Sequence, residues 1–187
     1  SAGIDPKSGG LQLDFANTGK QAAVFHVYDK LNLTKPPRRY TVEAGKELSD
    51  RWDLTTNTPA GHYSLWVLGP QGFHRQFDGD SSTTTHGFNA EVAISYDPAR
   101  ASLNLKIANS GKKAAAVTIT ANAYRFDGPW NHTVAAGTAA NQTWSLSDSH
   151  GWYDFTLSAG DGKFLRRFAG RLETGKDSYC DPAMGAS

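Results

Sequence analysis

The chain has 187 residues, a net charge of +1, 39% hydrophobic and 11% aromatic residues, and a single cysteine, Cys180. So balanced a charge offers no basic field to nucleic acid, and no stretch approaches the ~20 consecutive apolar residues of a membrane-spanning helix. One cysteine excludes a disulfide framework and a cysteine-rich metal site.

In chain order the elements read as strands. Leu11, Leu13 and Phe15 alternate with polar residues, the period of two of a half-buried strand. Asn17-Thr18-Gly19-Lys20 is a turn, because Asn and Gly accept positive φ at small cost. Phe25 and Val27 mark the inner face of the next strand. Pro36 and Pro37 mark a long crossover loop before Thr41–Gly45, and Trp52 is expected to plug the core. Gly61-His62-Tyr63 opens another alternating run and resembles a tyrosine corner. Gly69–Gly72 is a hairpin connection, followed by Phe73–Gly79.

The same series then returns. Leu11–Ala23 recurs as Leu103–Ala115 at an offset of 92, and Trp52 recurs as Trp144. Tyr63 recurs as Tyr153 at 90, and Phe73–Gly79 as Phe164–Gly170 at 91. A period this long is a small domain and not a solenoid repeat. The second copy reads as seven strands, near 91–96, 103–109, 114–121, 131–136, 140–146, 152–158 and 164–172. The expectation is an all-β chain of two tandem immunoglobulin-like Greek-key β-sandwiches, 1–82 and 83–187, with a jelly roll as the alternative. Residues 80–90 are polar and glycine-punctuated, as linkers are. They are few, so the modules are expected to touch.

One asymmetry stands out. Asp97-Pro98 follows a strand, whereas the matching Asp5-Pro6 has only four residues before it. The first copy is therefore expected to lack most of its first strand. Its partner strand would carry an open edge, which invites pairing with another chain and an edge-strand dimer. With no signal peptide and a start at Ser1-Ala2-Gly3, the chain is read as a processed or excised piece of a longer protein.

Catalytic signals are weak. His26, His62, His74, His86, His132 and His150 form no metal-site spacing, and the copies do not share them. There is no nucleophile elbow and no phosphate-binding loop. No catalytic residue, metal ligand or cofactor is expected. Arg75 and Arg166 each lie between two phenylalanines at i±2, so each faces inward with the rings and must be paired or stacked. A structural contact closing one end of the sandwich is the main reading, and an anion site is the alternative.

Shared positions (Trp52 and Trp144, Tyr63 and Tyr153, Arg75 and Arg166) read as fold requirements. Function is sought where the copies differ. The first carries Lys35, Arg38 and Arg39 in a basic proline-fixed loop, where the second carries an aromatic loop with Trp130. Together these suit a phospholipid surface, by charge and by interfacial insertion. Outward-facing Trp66 and Trp152 are candidates for a domain–domain interface.

The segments Leu11–Gly19, Ala23–Asp29, Pro37–Gly45 and Leu65–Phe77 resemble a known family. It is that of the tandem C-terminal domains of bacterial phosphocholine-preferring phospholipases C, haemolytic and non-haemolytic. The resemblance runs from about Leu11 to Gly170 and is more specific in the first copy. It implies a parent that hydrolyses phosphatidylcholine, is secreted or periplasmic and uses twin-arginine export. The parent's N-terminal catalytic domain, similar to acid phosphatases and arylsulfatase-like phosphoesterases, would carry the metal and nucleophile and be the main partner. A carbohydrate- or surface-binding module pair, a structural spacer and an enzyme in its own right are the alternatives.

Overall fold

The computed structural model describes residues 1–5, 8–57, 59–81, 87–159, 163–175, 177 and 179–183. The expected boundary at 82/83, His86 and the Gly160–Gly162 connection lie outside the described residues.

The described chain is built from fourteen strands. The first half contributes β1 (Ala2–Ile4), β2 (Leu11–Ala16), β3 (Ala23–Asp29), β4 (Arg38–Val42), β5 (Glu47–Trp52), β6 (His62–Leu68) and β7 (His74–Asp80). The second contributes β8 (Ala90–Asp97), β9 (Ser102–Asn109), β10 (Ala115–Ala123), β11 (Trp130–Val134), β12 (Ala139–Ser145), β13 (Trp152–Ala159) and β14 (Phe164–Arg171). The strands read from the second copy fall within one or two residues of these bounds. The reason is local: Val117, Ile119, Phe155 and Leu157 are buried while Thr118, Thr120 and Thr156 face outward, so the pattern and the pleat agree.

In each half the first, second and fifth strands form one sheet. The fourth, third, sixth and seventh form the other, which is the Greek-key order of an immunoglobulin-like sandwich. The fourth strand pairs with the third, as in β3–β4 and β10–β11, rather than joining the first sheet. What the repeat does not announce is the junction. β7 and β14 pair antiparallel, so the two four-stranded sheets fuse into one sheet of eight in the order β11-β10-β13-β14-β7-β6-β3-β4. Two edges that would otherwise lie open are thus closed on each other.

The junction register is symmetric. Arg166 lies opposite Phe77, Phe168 opposite Arg75, and Gln76 opposite Arg167. Gln76 and Arg167 are themselves equivalent in the repeat, so a pseudo-twofold axis passes between them. Directly opposed residues point to the same side of a sheet. Phe77 belongs to the first core and Phe168 to the second, so both cores lie on one face of the fused sheet. The three-stranded sheets β1-β2-β5 and β12-β9-β8 cover that face side by side.

The turns repeat in atomic detail. Asn17 Nδ2 donates to the carbonyls of Gln21 and Val42, and its Oδ1 accepts from Gly19 N. Asn109 does the same with Lys113, Val134 and Gly111. Each asparagine ties the tight turn to the strand that returns by the long crossover.

Candidate functional site

The arginines of β7 and β14 sit at the junction. Arg75 is 6% exposed and Arg166 2%. A bare guanidinium at such a depth would be costly, so its donors must be occupied. Arg166 Nη1 donates to the carbonyls of Asp78 (2.9 Å) and Leu165 (2.9 Å), and Nη2 to the Tyr63 hydroxyl (2.8 Å). Arg75 mirrors this with Ala169 (2.8 Å), His74 (2.8 Å) and Tyr153 (3.1 Å). Each guanidinium lies 4.0 Å from the centre of the phenylalanine ring two residues before it, Phe73 or Phe164. Each therefore joins one half to the other through a backbone carbonyl and a tyrosine hydroxyl.

This corrects two expectations. The arginines do not close one end of a sandwich. They lock two sandwiches together across the β7–β14 pair. Nor do Tyr63 and Tyr153 behave as tyrosine corners, because their hydroxyls serve the arginine of the opposite half. The anion reading also loses its basis at Arg75. Arg75 Nη2 has a second partner in the Tyr96 hydroxyl (3.0 Å), so both its terminal nitrogens are fully committed inside the fold. Tyr96 also bonds Tyr153. Burial, first of all, raises the Tyr153 hydroxyl's pKa and keeps it neutral.

The loop residues part company. Lys35 is exposed in the turn before β4. Arg38 bonds Asp50 at 2.8 Å and stacks 4.0 Å over Trp52. Arg39 is exposed on β4, opposite His26. Trp130, the repeat equivalent of Arg38, packs edge-on to Trp144 at 5.2 Å and is half-buried. Arg38 and Trp130 thus perform one task, covering the core tryptophan. Trp144 is 3% exposed, while Trp52 lies at the rim and is half-buried.

β4 and β11 are opposite edges of the eight-stranded sheet, seven strand spacings or roughly 34 Å apart. Because β7 and β14 run antiparallel, the β3–β4 loop and the β10–β11 loop also lie at opposite ends of the sheet. The basic and aromatic loops therefore do not form one contiguous patch. Sequence alignment places them at equivalent positions, and the pseudo-twofold axis sends those positions apart. Apolar exposure missed in the sequence lies beside the basic loop: Leu31 is 48% and Leu33 59% exposed, next to Lys30 and Lys35.

Other polar groups are engaged with one another. Tyr40 donates to Asp50 (2.5 Å), and its pKa is pushed up to about 12, first by burial and then by that bond. Burial would raise Asp50, but the donors Tyr40 and Arg38 outweigh it and hold the carboxyl below its ordinary range. The equivalent pair in the second half is His132 and Gln142 at 3.2 Å. On the outer face Arg167 forks onto Asp154 (2.9 and 2.5 Å), and Trp66 donates to Gln76 (3.1 Å). His62 pairs with Asp80, and His150 stacks on Tyr179 at 4.0 Å. Trp152 donates to the Tyr179 carbonyl (3.3 Å), so the C-terminal tail lies against the outer face there. Cys180 is exposed. Among the described residues no group of three or more His, Cys, Asp or Glu is placed to hold a metal ion.

A pair of Greek-key sandwiches fused through their last strands, its buried cations committed to internal partners, defines a duplicated β-sandwich module. The chain belongs to the bacterial phospholipase C C-terminal domain family, whose profile matches residues 1–80 and again 90–171. It is 41% identical over 186 residues to a non-hemolytic phospholipase C of Burkholderia pseudomallei, covering 98% of this chain and 26% of that protein. A non-hemolytic phospholipase C of Pseudomonas aeruginosa is 41% identical over 185 residues, covering 96% and 26%. A hemolytic phospholipase C of the same organism is 35% identical over 191 residues, covering 94% and 25%. The chain thus spans about a quarter of the length of the curated relatives it matches.

Proposed function

We propose that this chain is the non-catalytic accessory part of a secreted or periplasmic bacterial phospholipase C that hydrolyses phosphatidylcholine, and that it supports an N-terminal catalytic domain. The observation that carries the reading is the family match over both halves, together with relatives about four times as long. The commitment of Arg75 and Arg166 to internal partners supports it, because polar groups spent on the fold are not free for chemistry. The chain expressed alone is expected to release no chromophore from a chromogenic phosphocholine ester that the whole enzyme cleaves. Turnover by the chain alone would refute the non-catalytic role.

A second reading adds a lipid contact. Leu31 and Leu33 are exposed in the loop after β3, between Lys30 and Lys35, and make an apolar tip flanked by two basic residues. Such a tip suits an anionic bilayer surface, with the lysine charges in the headgroup layer. The whole enzyme is expected to co-sediment with phosphatidylserine-containing vesicles at low salt. Replacing Leu31 and Leu33 with serine should reduce the bound fraction several-fold, each leucine burying roughly 1–2 kcal/mol of apolar surface. Equal sedimentation of variant and wild type would exclude this tip.

A further inference from the structure

The two faces of the eight-stranded sheet treat the repeat differently. On the inner face Val27 and Ile119, Val67 and Leu157, and Arg75 and Arg166 keep their character and are all buried. On the outer face the second half carries Thr120, Thr156 and Ser158, ordinary residues for the wet side of an antiparallel sheet. At the equivalent places the first half carries Tyr28, Trp66 and Leu68. Tyr28 lies directly opposite Trp66, and Leu68 lies between His26 and His74. With Gln76, Ser64 and Asp78 these residues make three rows on β3, β6 and β7, roughly 10 Å across the strands and roughly 14 Å along them. Trp152, the outward tryptophan of the second half, is taken up by the Tyr124 ring at 6.2 Å and the Tyr179 carbonyl. Over Trp66 stands only the Lys30 ammonium among the described residues, 4.8 Å from the ring centre.

The polar groups differ in the same way. In the second half they satisfy one another: Thr118 with Asn131, Asn122 with Asp154 and Thr156, and Arg167 with Asp154. In the first half a relay fixes the indole. Trp66 donates to Gln76 (3.1 Å), Gln76 to Asp78 (2.6 Å), and Ser64 to the same carboxylate (2.7 Å). Around it the Tyr28 hydroxyl, the His74 ring and the Lys30 ammonium make no side-chain hydrogen bond or ion pair among the described residues. Burial, first of all, lowers the His74 pKa, so at pH 7 its ring is neutral and offers one donor and one acceptor. The charges of Lys30 and Asp78 offset each other, so the patch suits a neutral ligand.

We propose that this patch is a glycan-binding platform, on which a neutral sugar ring lies against Trp66 while its hydroxyls bond Tyr28, Lys30 and His74. A sugar has a face of C–H groups and a rim of hydroxyls. A fixed aromatic ring among uncommitted polar side chains complements both. Lys30, on a flexible stem, leaves the ring to meet a hydroxyl. In plan the patch covers roughly 140 Å², well below the ~800 Å² per partner of a stable protein interface. It is also flat and without excess positive charge, unlike a surface that seeks an anionic bilayer. The site is independent of the parent's phospholipase activity.

NMR of the 187-residue chain reads the indole N–H of each of its five tryptophans. At least one of cellopentaose and chitopentaose, both neutral and extended, is expected to shift the Trp66 indole at millimolar concentration and to leave Trp130 and Trp144 unmoved. Trp66→Thr, which installs the residue of the other half, should weaken binding about tenfold or more, read at the His74 amide. Thr156→Ala should leave it unchanged. Unmoved Trp130 and Trp144 signals in Trp66→Thr show that the fold is kept. No Trp66 shift with either sugar, or equal affinity in Trp66→Thr, would overturn the proposal. A Trp66 signal that moves on dilution without sugar would assign the patch to a second copy. One that responds to phosphatidylcholine vesicles and not to sugar would assign it to lipid. Either result also overturns the glycan site.

Discussion

Replacing Arg166 with methionine is expected to cost the folded chain about 4 kcal/mol. The substitution keeps most of the apolar stem and removes every donor. It takes a charged donor from the Asp78 and Leu165 carbonyls and leaves the buried Tyr63 hydroxyl without its partner at the junction, and it ends the stacking on Phe164. Bonds from a charged donor are worth about 1.5–3 kcal/mol each, and buried acceptors left unpaired cost about 1–3. Arg75→Met should cost nearly as much, since its partners mirror those of Arg166. Lysine should rescue only part of the loss, because an ammonium cannot address a carbonyl and a hydroxyl with a planar fork. Equilibrium unfolding in urea measures the effect. A Tyr63→Phe partner completes a double-mutant cycle, with an expected coupling between about 0.5 and 3 kcal/mol. A loss below about 1 kcal/mol for Arg166→Met would mean that the halves are held by strand pairing and apolar contact alone.

The second large effect is expected at Asn109. It is 1% exposed, and its one amide meets the carbonyls of Lys113 and Val134 and the amides of Gly111 and Asn89. Truncation to alanine leaves these groups without their partner in a dry site, at about 3 kcal/mol. Asn17 makes the equivalent turn bonds in a more exposed position. Water can replace part of what it loses, so Asn17→Ala should cost about 1 kcal/mol. The contrast is the informative part. The turn bonds are the same in the two copies, and Asn109 adds deeper burial and the Asn89 amide. Unfolding curves of the two variants that shift equally would contradict this.

Much of the architecture was legible because it is local. The alternation in Leu103–Ile107 and Phe155–Leu157 matches the pleat of β9 and β13, and the Asn-x-Gly-Lys turns sit where the strands stop. The inward direction of Arg75 and Arg166 was also legible, since each shares a strand face with two phenylalanines. What they touch was not. Their partners lie roughly 90 residues away in sequence, and nothing in a strand's own pattern says which edge it will meet. The repeat even misled at this point. Residues shared by both copies suggested a contact within each copy, whereas a twofold arrangement satisfies the same residues by exchanging them between copies. The distance between Lys35, Arg38 and Arg39 and Trp130 was hidden for the same reason. Alignment superposes these positions, and the antiparallel β7–β14 junction carries them to opposite edges and ends of one sheet. The exposed Leu31 and Leu33 had no sequence signal beyond being leucines in a turn.

Fusion of the sheets makes the two sandwiches one mechanical unit, and calorimetry of the 187-residue chain tests this most directly. A locked pair unfolds in a single transition whose calorimetric and van't Hoff enthalpies agree. Two separable transitions in the wild-type chain, each with about half the total enthalpy, would show that the arginine junction does not couple the halves.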